Sequence, residues 1–370
     1  MGQEMKPIDL DEYPVHQAPL SMARVASTDR NFYDRCYFNA HDRTGDVFLV
    51  TGLGVYPNLG VVDAFATVRT GDTQVAVRFS DAHDGASTKT EVGGYRVEVI
   101  KPLQTLRLVC EHEDLSFDMT WEGAFDSVLE EHHTLMSGPR AILDATRFAQ
   151  VGSWSGTMSV RGTDIAVDPA VWTGSRDRSW GIRPVGEPDP AGRMGDEPPG
   201  GHWWTYVPLR FDEFALMIIV QESPDGYRTL SHATRTFPDG RVEQLGWPRT
   251  EITYRPGTRH PESARIHLTT PTGEPLVVDV DTIGFVALNV GAGYGGDSDW
   301  THGEWRGRNW SSSSVYDLTD PAIVAKLPYG TIDHIARATC NGAQGWGMFE
   351  HAVMGRHDPS GFVGWLDMAK

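Results

Sequence analysis

The sequence predicts an all-β protein built from two successive strand-rich halves with few short helices. Three observations predict it. Forty glycines, 23 prolines and 12 tryptophans stand among 370 residues with few long runs of strong helix formers, which is a composition of strands and turns. Apolar and polar residues alternate with a period of two along many short stretches, as in strands with one buried face. Turn signals recur roughly every 8 to 12 residues. The length suits two domains or one large one, and 39% hydrophobic residues suffice for substantial cores.

Residues 14–30, with Pro14 and Pro19, read as an extended lead-in or a short helical turn. Strands are then predicted at 35–40, 46–53, 61–69 and 73–79, separated by turns such as Arg43-Thr44-Gly45-Asp46 and Thr70-Gly71-Asp72, the spacing of an antiparallel meander. In the next run Tyr95, Val97 and Val99 alternate with Arg96, Glu98 and Ile100. Leu106, Leu108 and Cys110 alternate with Thr105, Arg107 and Val109. Leu115, Phe117, Met119 and Trp121 alternate with Ser116, Asp118 and Thr120. One apolar face per strand suits a closed barrel, packed or hollow. Glu130-Glu131-His132-His133 reads as a solvated strand end or loop, because adjacent strand residues point to opposite faces and no third metal ligand is placed by spacing.

Residues 151–167 read as two short strands broken by Gly156 and Gly162, so the stretch after them, Gly174-Ser175-Arg176-Asp177-Arg178-Ser179-Trp180-Gly181-Ile182-Arg183, lies on a sheet near a rim. In a strand Arg176 and Arg178 share one face, and Asp177 and Ser179 the other. A partner for Asp177 therefore comes from elsewhere. Either Asp177 forms a buried pair with an arginine of another strand and Trp180 plugs the core, or Asp177 is an acid or base in a dry pocket walled by Trp180.

The best boundary is 184–201, which has the proline, glycine and acidic composition of a linker or long loop, and it divides the chain into 1–195 and 196–370. Strands follow at 202–207 and 214–221, with Pro-Asp-Gly turns at 224–226 and 238–240, and then at 265–270, 276–280, 283–290, 332–340 and 345–355. One short helix is expected at 321–327, with Asp320 as its N-cap and Pro321 in its first position.

A net charge of −18 argues against nucleic acid or anionic membrane as a partner. Cys36, Cys110 and Cys340 form neither a disulfide framework nor a metal spacing, so reduced cytosolic thiols are the simplest reading. Met1 to Tyr13 lacks the apolar core of a signal peptide, and no stretch approaches the roughly 18 apolar residues of a membrane span. A soluble, cytoplasmic protein is expected. No nucleophile elbow, zinc signature or dinucleotide fingerprint is present, and Gly291 to Gly296 precedes Asp297, Ser298 and Asp299 rather than a phosphate-binding helix start, so it reads as a mobile loop. Neither metal nor cofactor is expected.

Asp177-Arg178-Ser179-Trp180-Gly181 resembles the Asp-His-x-Trp-Gly signature of the lipocalin-like superfamily of carotenoid 1,2-hydratases, AttH-type proteins and, more distantly, fungal Diels-Alderases. Tyr37-Phe38-Asn39, Gly54-Val55-Tyr56-Pro57-Asn58, Gln150-Val151-Gly152, His302-Gly303-Glu304-Trp305 and Gly345-Trp346-Gly347-Met348-Phe349-Glu350 extend the resemblance over most of the chain, toward an actinobacterial-type branch. The resemblance implies two tandem lipocalin-like antiparallel β-barrels or β-sandwiches. Where the hydratases carry a histidine, this chain carries Arg178, which stays protonated and is a poor proton shuttle.

Polar residues among aromatics are the candidates for chemistry. Asp177, His302 and Glu304 are the expected catalytic residues; His302 and Glu304 lie two apart and would share a face in a strand, as a His–carboxylate pair for acid–base work. Trp154, Arg178, Trp180, Trp204, Tyr206, Trp305 and Glu350 are expected to bind substrate, because aromatic walls with a few convergent polar groups make a pocket for an apolar ligand. Glu350, beside apolar Met348, is expected to be buried and paired with an arginine. The function this implies is a cofactor-independent lyase, hydratase, cyclase or isomerase acting by acid–base chemistry on an isoprenoid, steroid-like or polyketide-like molecule between the two β halves. The alternative is a non-catalytic carrier of an apolar small molecule.

Overall fold

The computed structural model describes residues 6–15, 19–21, 23–85, 88, 90–188, 201–295 and 300–370. These form two large curled antiparallel sheets, a half-barrel and a near-barrel, with a single short α-helix among the described residues. Most of the expected linker, 189–200, lies outside the described residues, as does the end of the glycine-rich loop, 296–299.

In the first sheet, strand Phe32–His41 is the hinge of the topology. It pairs with its sequence neighbour Val47–Tyr56 on one side and, across more than a hundred residues, with Thr173–Ile182 on the other. Thr173–Ile182 pairs in turn with Arg140–Val160, which leads to Leu115–Gly123, Thr105–Cys110 and Tyr95–Lys101. Arg140–Val160 is one 21-residue strand rather than a strand ending at Gly156. Gly156 absorbs the bend at φ +135°, where a Cβ would fall 2.1 Å from the Asp118 carbonyl oxygen, so the ladder continues through the glycine to the turn at Arg161 and Gly162.

The second sheet runs Val242–Gln244, Arg228–Thr236, Ala215–Glu222, His202–Arg210, Ala343–Met354, Ile332–Cys340, Pro275–Ala287, Pro261–Thr269 and Gly246–Tyr254. Strand Trp310–Asp317 leaves this half and extends the first sheet, with Trp310 opposite Ser80 and Asp317 opposite Thr73. The expected helix is one turn, Pro321–Val324, capped by the Asp320 carboxylate accepting from the Ala322 N–H at 2.8 Å, and it gives way to a 3-10 turn at Leu327–Tyr329.

Three cores follow from strand alternation. The inside of the first sheet is packed rather than hollow, with Phe38, Leu106, Phe117, Trp121 and Trp154 among its members. The second sheet has its own core around Leu216, Ile266, Val278 and Phe349. The third joins the sheets: Tyr37, Phe48, Phe65 and Val151 of the first meet Tyr206, Met217, Ile335 and Met348 of the second. A side chain facing this seam is therefore covered by both halves.

The inward face of Thr173–Ile182 closes one end of the first core. Arg178 lies opposite Cys36 and Arg176 opposite Phe38, so both arginines point inward. Each meets a carboxylate there. Arg176 makes two hydrogen bonds to Glu12, at 2.6 and 2.9 Å, and Arg178 donates to Asp34 Oδ1 at 2.6 Å and to the Glu12 carbonyl at 3.0 Å. The 3-10 turn Asp9–Glu12 thus plugs the core through a buried charge pair.

Candidate active site

Tyr37 lies opposite Asp177, and Ala149 opposite Asp177 on the other side, so alternation aims Asp177 away from the two arginines that flank it and into the seam between the sheets. Among the described residues its carboxylate takes part in no hydrogen bond or ion pair. The expected Asp177–arginine pair is not formed, because Arg176 and Arg178 are occupied by Glu12 and Asp34 on the opposite face. Asp177 is partly buried in this seam. Burial pushes it up to about 7; Arg147 opposes that shift, while Glu130 and Glu350 add to it.

Arg147 reaches Asp177 only through its field. Its guanidinium closes on Glu130 Oε2 at 2.5 Å and lies over the rings of Trp204 and Tyr206, with centroid distances of 5.6 and 5.2 Å. Glu130 is thus not a solvated strand end; it is buried and charge-paired. Its neighbours divide as alternation requires: His132 is exposed and 2.5 Å from Asp144, and His133 is buried and stacked on Trp204.

The second sheet contributes an acid pair. Asp333 and Glu350 stand opposite each other in neighbouring strands, Asp333 fully buried and Glu350 partly so. The phenol of Tyr37 donates to Asp333 and the indole N–H of Trp204 donates to Glu350. Glu350 therefore has an indole and a second carboxyl as partners in place of the expected arginine. Burial and then the charge of Glu350 raise Asp333, and burial raises Glu350, so the two retain a proton between them. The Oδ1 atom of Asp333 is buried without a hydrogen-bond donor, which a protonated acid tolerates and a carboxylate does not.

A cavity of about 620 Å³ has a lining that includes Arg35, Arg183, Tyr294, His302, Val185 and Met354; Asp177, Asp333 and Glu350 are not among its lining residues. Tyr294 ties the loop 291–295 to the site: its hydroxyl accepts from Arg35 Nη2 at 2.8 Å, and its ring packs edge-on against Phe65 and His302. His302 sits in a turn rather than a strand, so the two-residue spacing to Glu304 places nothing on a common face. Gly303, at φ +81°, lets that turn direct its N–H onto Asp63 Oδ2 at 2.6 Å, and Asp63 Oδ1 lies 4.0 Å from His302 Nδ1. Asp63 is thus the carboxylate near His302, but neither imidazole nitrogen has a hydrogen-bond partner among the described residues; Glu304 accepts from the Thr301 N–H and pairs with Arg306. Asp63 is pushed up to about 7 by burial, and His302 is held well below the usual imidazole range by burial and by the charges of Arg35 and Arg183.

The structure brings Asp177, Trp204, Tyr206, Glu350 and His302 to the seam. Trp154 lies in the first core, donating from Nε1 to the Asn39 carbonyl at 2.8 Å. Arg178 faces that core as well, Trp180 borders a separate small cavity with Pro14, Val15 and Leu20, and Trp305 is 51% exposed. Arg35, Asp63 and Arg147 join the site from no motif; Tyr37, Glu130 and Tyr294 come from Tyr37-Phe38-Asn39, the Glu-Glu-His-His run and the glycine-rich loop, none of which is read from sequence as part of it. Among the described residues no group of three His, Cys, Asp or Glu is placed to hold a metal ion.

A profile described as a family of unknown function, DUF8625, matches residues 8–363. No curated protein matches the sequence. Among solved structures, one assigned as an AttH from Nitrosomonas europaea is similar with a TM-score of 0.52 at 13% identity, covering 91% of this chain and 99% of that one. Kievitone hydratase from Nectria haematococca is similar with a TM-score of 0.48 at 14% identity over 86% and 88% of the two chains. CghA with Sch210972 is similar with a TM-score of 0.49 at 11% identity over 87% and 88%. The first likeness shows the fold, the two-part β architecture that the Asp-Arg-Ser-Trp-Gly motif implied.

Proposed function

The chain belongs to this DUF8625 family, and for it we propose a cofactor-independent enzyme of the lyase, hydratase, cyclase or isomerase type that works by acid–base chemistry on a largely apolar small molecule held between the two sheets. The observation that carries this reading is Asp177: a partly buried carboxyl aimed into the seam between the sheets, without a hydrogen bond or ion pair among the described residues, and poised near neutrality. A structural carboxylate at such depth is normally paired, and the cost of leaving one unpaired is accepted where the group must exchange a proton with something else. A pKa of about 7 makes Asp177 competent in both directions at neutral pH, as an acid to a leaving hydroxyl or an alkene and as a base to an activated C–H.

The surroundings divide the remaining work. Arg147 keeps Asp177 from becoming permanently protonated, while its own ion pair with Glu130 holds it away from direct contact. The Asp333–Glu350 pair stores a second proton on the opposite sheet, so an addition or elimination has a donor on one wall and an acceptor on the other. Trp204, Tyr206 and Met348 supply apolar surface, and the seam excludes bulk water from the intermediate.

The test is incubation of native-host metabolite extract with the wild-type protein and with Asp177→Asn, followed by untargeted mass spectrometry. A compound that gains or loses water, or is isomerised, with the wild type alone supports the enzyme. A compound that is retained unchanged by both proteins makes this chain a carrier.

A further inference from the structure

We infer that the natural ligand carries an acidic oxygen group, a carboxylate or an enolate, at one end of its apolar body, and that Arg35 with Arg183 forms the subsite that takes it. The inference deepens the proposed function and rests on the same seam being the ligand site.

Arg35 is 6% exposed, yet among the described residues no carboxylate lies within 4.0 Å of it. Among the described residues its one hydrogen-bond partner is the neutral hydroxyl of Tyr294, whose ring also lies under the guanidinium at 5.0 Å. Arg176 and Arg178, buried on the other face of the same sheet, each hold a carboxylate, and the half-buried Arg147 holds Glu130. The nearest acid to act on Arg35, Asp63, is engaged by the Tyr56 hydroxyl at 3.1 Å and by the Gly303 N–H. Burial without a counter-ion is expensive for a guanidinium and is met where an anion arrives from outside.

Arg183 repeats the pattern on the same cavity. It lies over the Tyr33 ring at 5.5 Å and has no ion pair among the described residues. Arg140 borders the cavity as well, and the acid at its mouth, Glu187, is exposed. In a chain of net charge −18, this one wall is positive enough that His302 beside it is driven further toward its neutral form by Arg35 and Arg183. Val185, Ile142 and Met354 complete the lining with apolar surface, so the cavity fits an amphiphile with an anionic end.

The subsite can be read without knowing the substrate, using a matched pair of fluorescent probes: 8-anilinonaphthalene-1-sulfonate and N-phenyl-1-naphthylamine, which share the apolar body and differ in the anion. The wild type is expected to bind the anionic probe at least about tenfold more tightly than the neutral one. Arg35→Met and Arg183→Met are expected to reduce that preference while retaining affinity for the neutral probe. Arg183 is only half-buried, so its variant carries the test should Arg35→Met fail to fold. Equal affinity of the wild type for both probes, or a preference unchanged in the arginine variants, overturns the anion subsite and leaves the acid–base reading standing. Binding of neither probe overturns the seam as a ligand site, and both proposals with it.

Discussion

Arg147 and Asp177 stand diagonally across two adjacent antiparallel strands, and the guanidinium nevertheless turns away to Glu130, leaving Asp177 without a partner. The choice between the two acids sets the charge state of the site. Glu130 withholds Arg147 from Asp177 and adds its own negative field, and both effects keep Asp177 protonated to higher pH.

Glu130→Gln should therefore release Arg147 toward Asp177 and lower the Asp177 pKa. The expected readout is the pH dependence of kcat: the limb that belongs to Asp177 moves to lower pH by about one unit, with the fold intact. A merely structural ion pair would lower stability and leave the position of the limb unchanged.

Asp177→Asn tests the acid itself. Turnover should fall by a factor of about 100 or more while ligand binding survives. The stability effect has a definite sign. Asp177 is raised in the folded state from 3.8 to about 7, so the stability it contributes is fully present below pH 3.8 and is lost as pH rises through 7. Asparagine does not titrate, so relative to the wild type the variant should be more stable at pH 8 than at pH 5, by about 1 kcal/mol or more. Urea midpoints at the two pH values measure this, and a loss of about 3 to 5 kcal/mol at both would return Asp177 to a structural role.

How far the sequence reaches is visible in this one strand. Alternation alone separated Asp177 from Arg176 and Arg178 and required that any partner come from elsewhere, because the faces of a strand are set by local geometry. The identity of the neighbours was not legible. Arg147 occupies no motif, Glu130 lies in a Glu-Glu-His-His run that reads as solvated, and Asp63 meets Gly303 across 240 residues. Trp310–Asp317 was hidden for a different reason: four consecutive serines, Ser311 to Ser314, give no apolar alternation, and the strand is specified by its partner Thr73–Ala82 in the other half. The His302–Glu304 pairing assumed a strand where Gly303 makes a turn.

At the opposite end of the first sheet, Glu12 anchors the N-terminal turn by two hydrogen bonds from Arg176, which also donates from Nε to Gln150 at 2.9 Å. Glu12→Ala removes one partner of a buried pair and should cost about 3 to 5 kcal/mol in chemical denaturation. Arg176 faces away from the seam, so at temperatures where the variant remains folded its kcat should match the wild type. A loss of activity without a loss of stability would place the N-terminal turn in the active site.

The last prediction separates His302, which lines the cavity, from Asp177, which faces the seam. His302 is enclosed by Phe65, Tyr294 and Trp300, with ring centroids at 5.1, 4.8 and 4.9 Å, and two arginines add to the effect of burial. It therefore stays neutral throughout the range in which Asp177 titrates, and it can polarise or position a substrate without changing charge. His302→Gln should lower kcat by about tenfold or more at every pH from 5 to 9, leaving the shape of the profile intact, whereas Glu130→Gln displaces the profile. Glu304→Gln should be nearly silent, because Glu304 is held by the Thr301 N–H and Arg306 and does not reach the imidazole. If Glu304→Gln instead matches His302→Gln, the turn must rearrange on ligand binding to bring the two together.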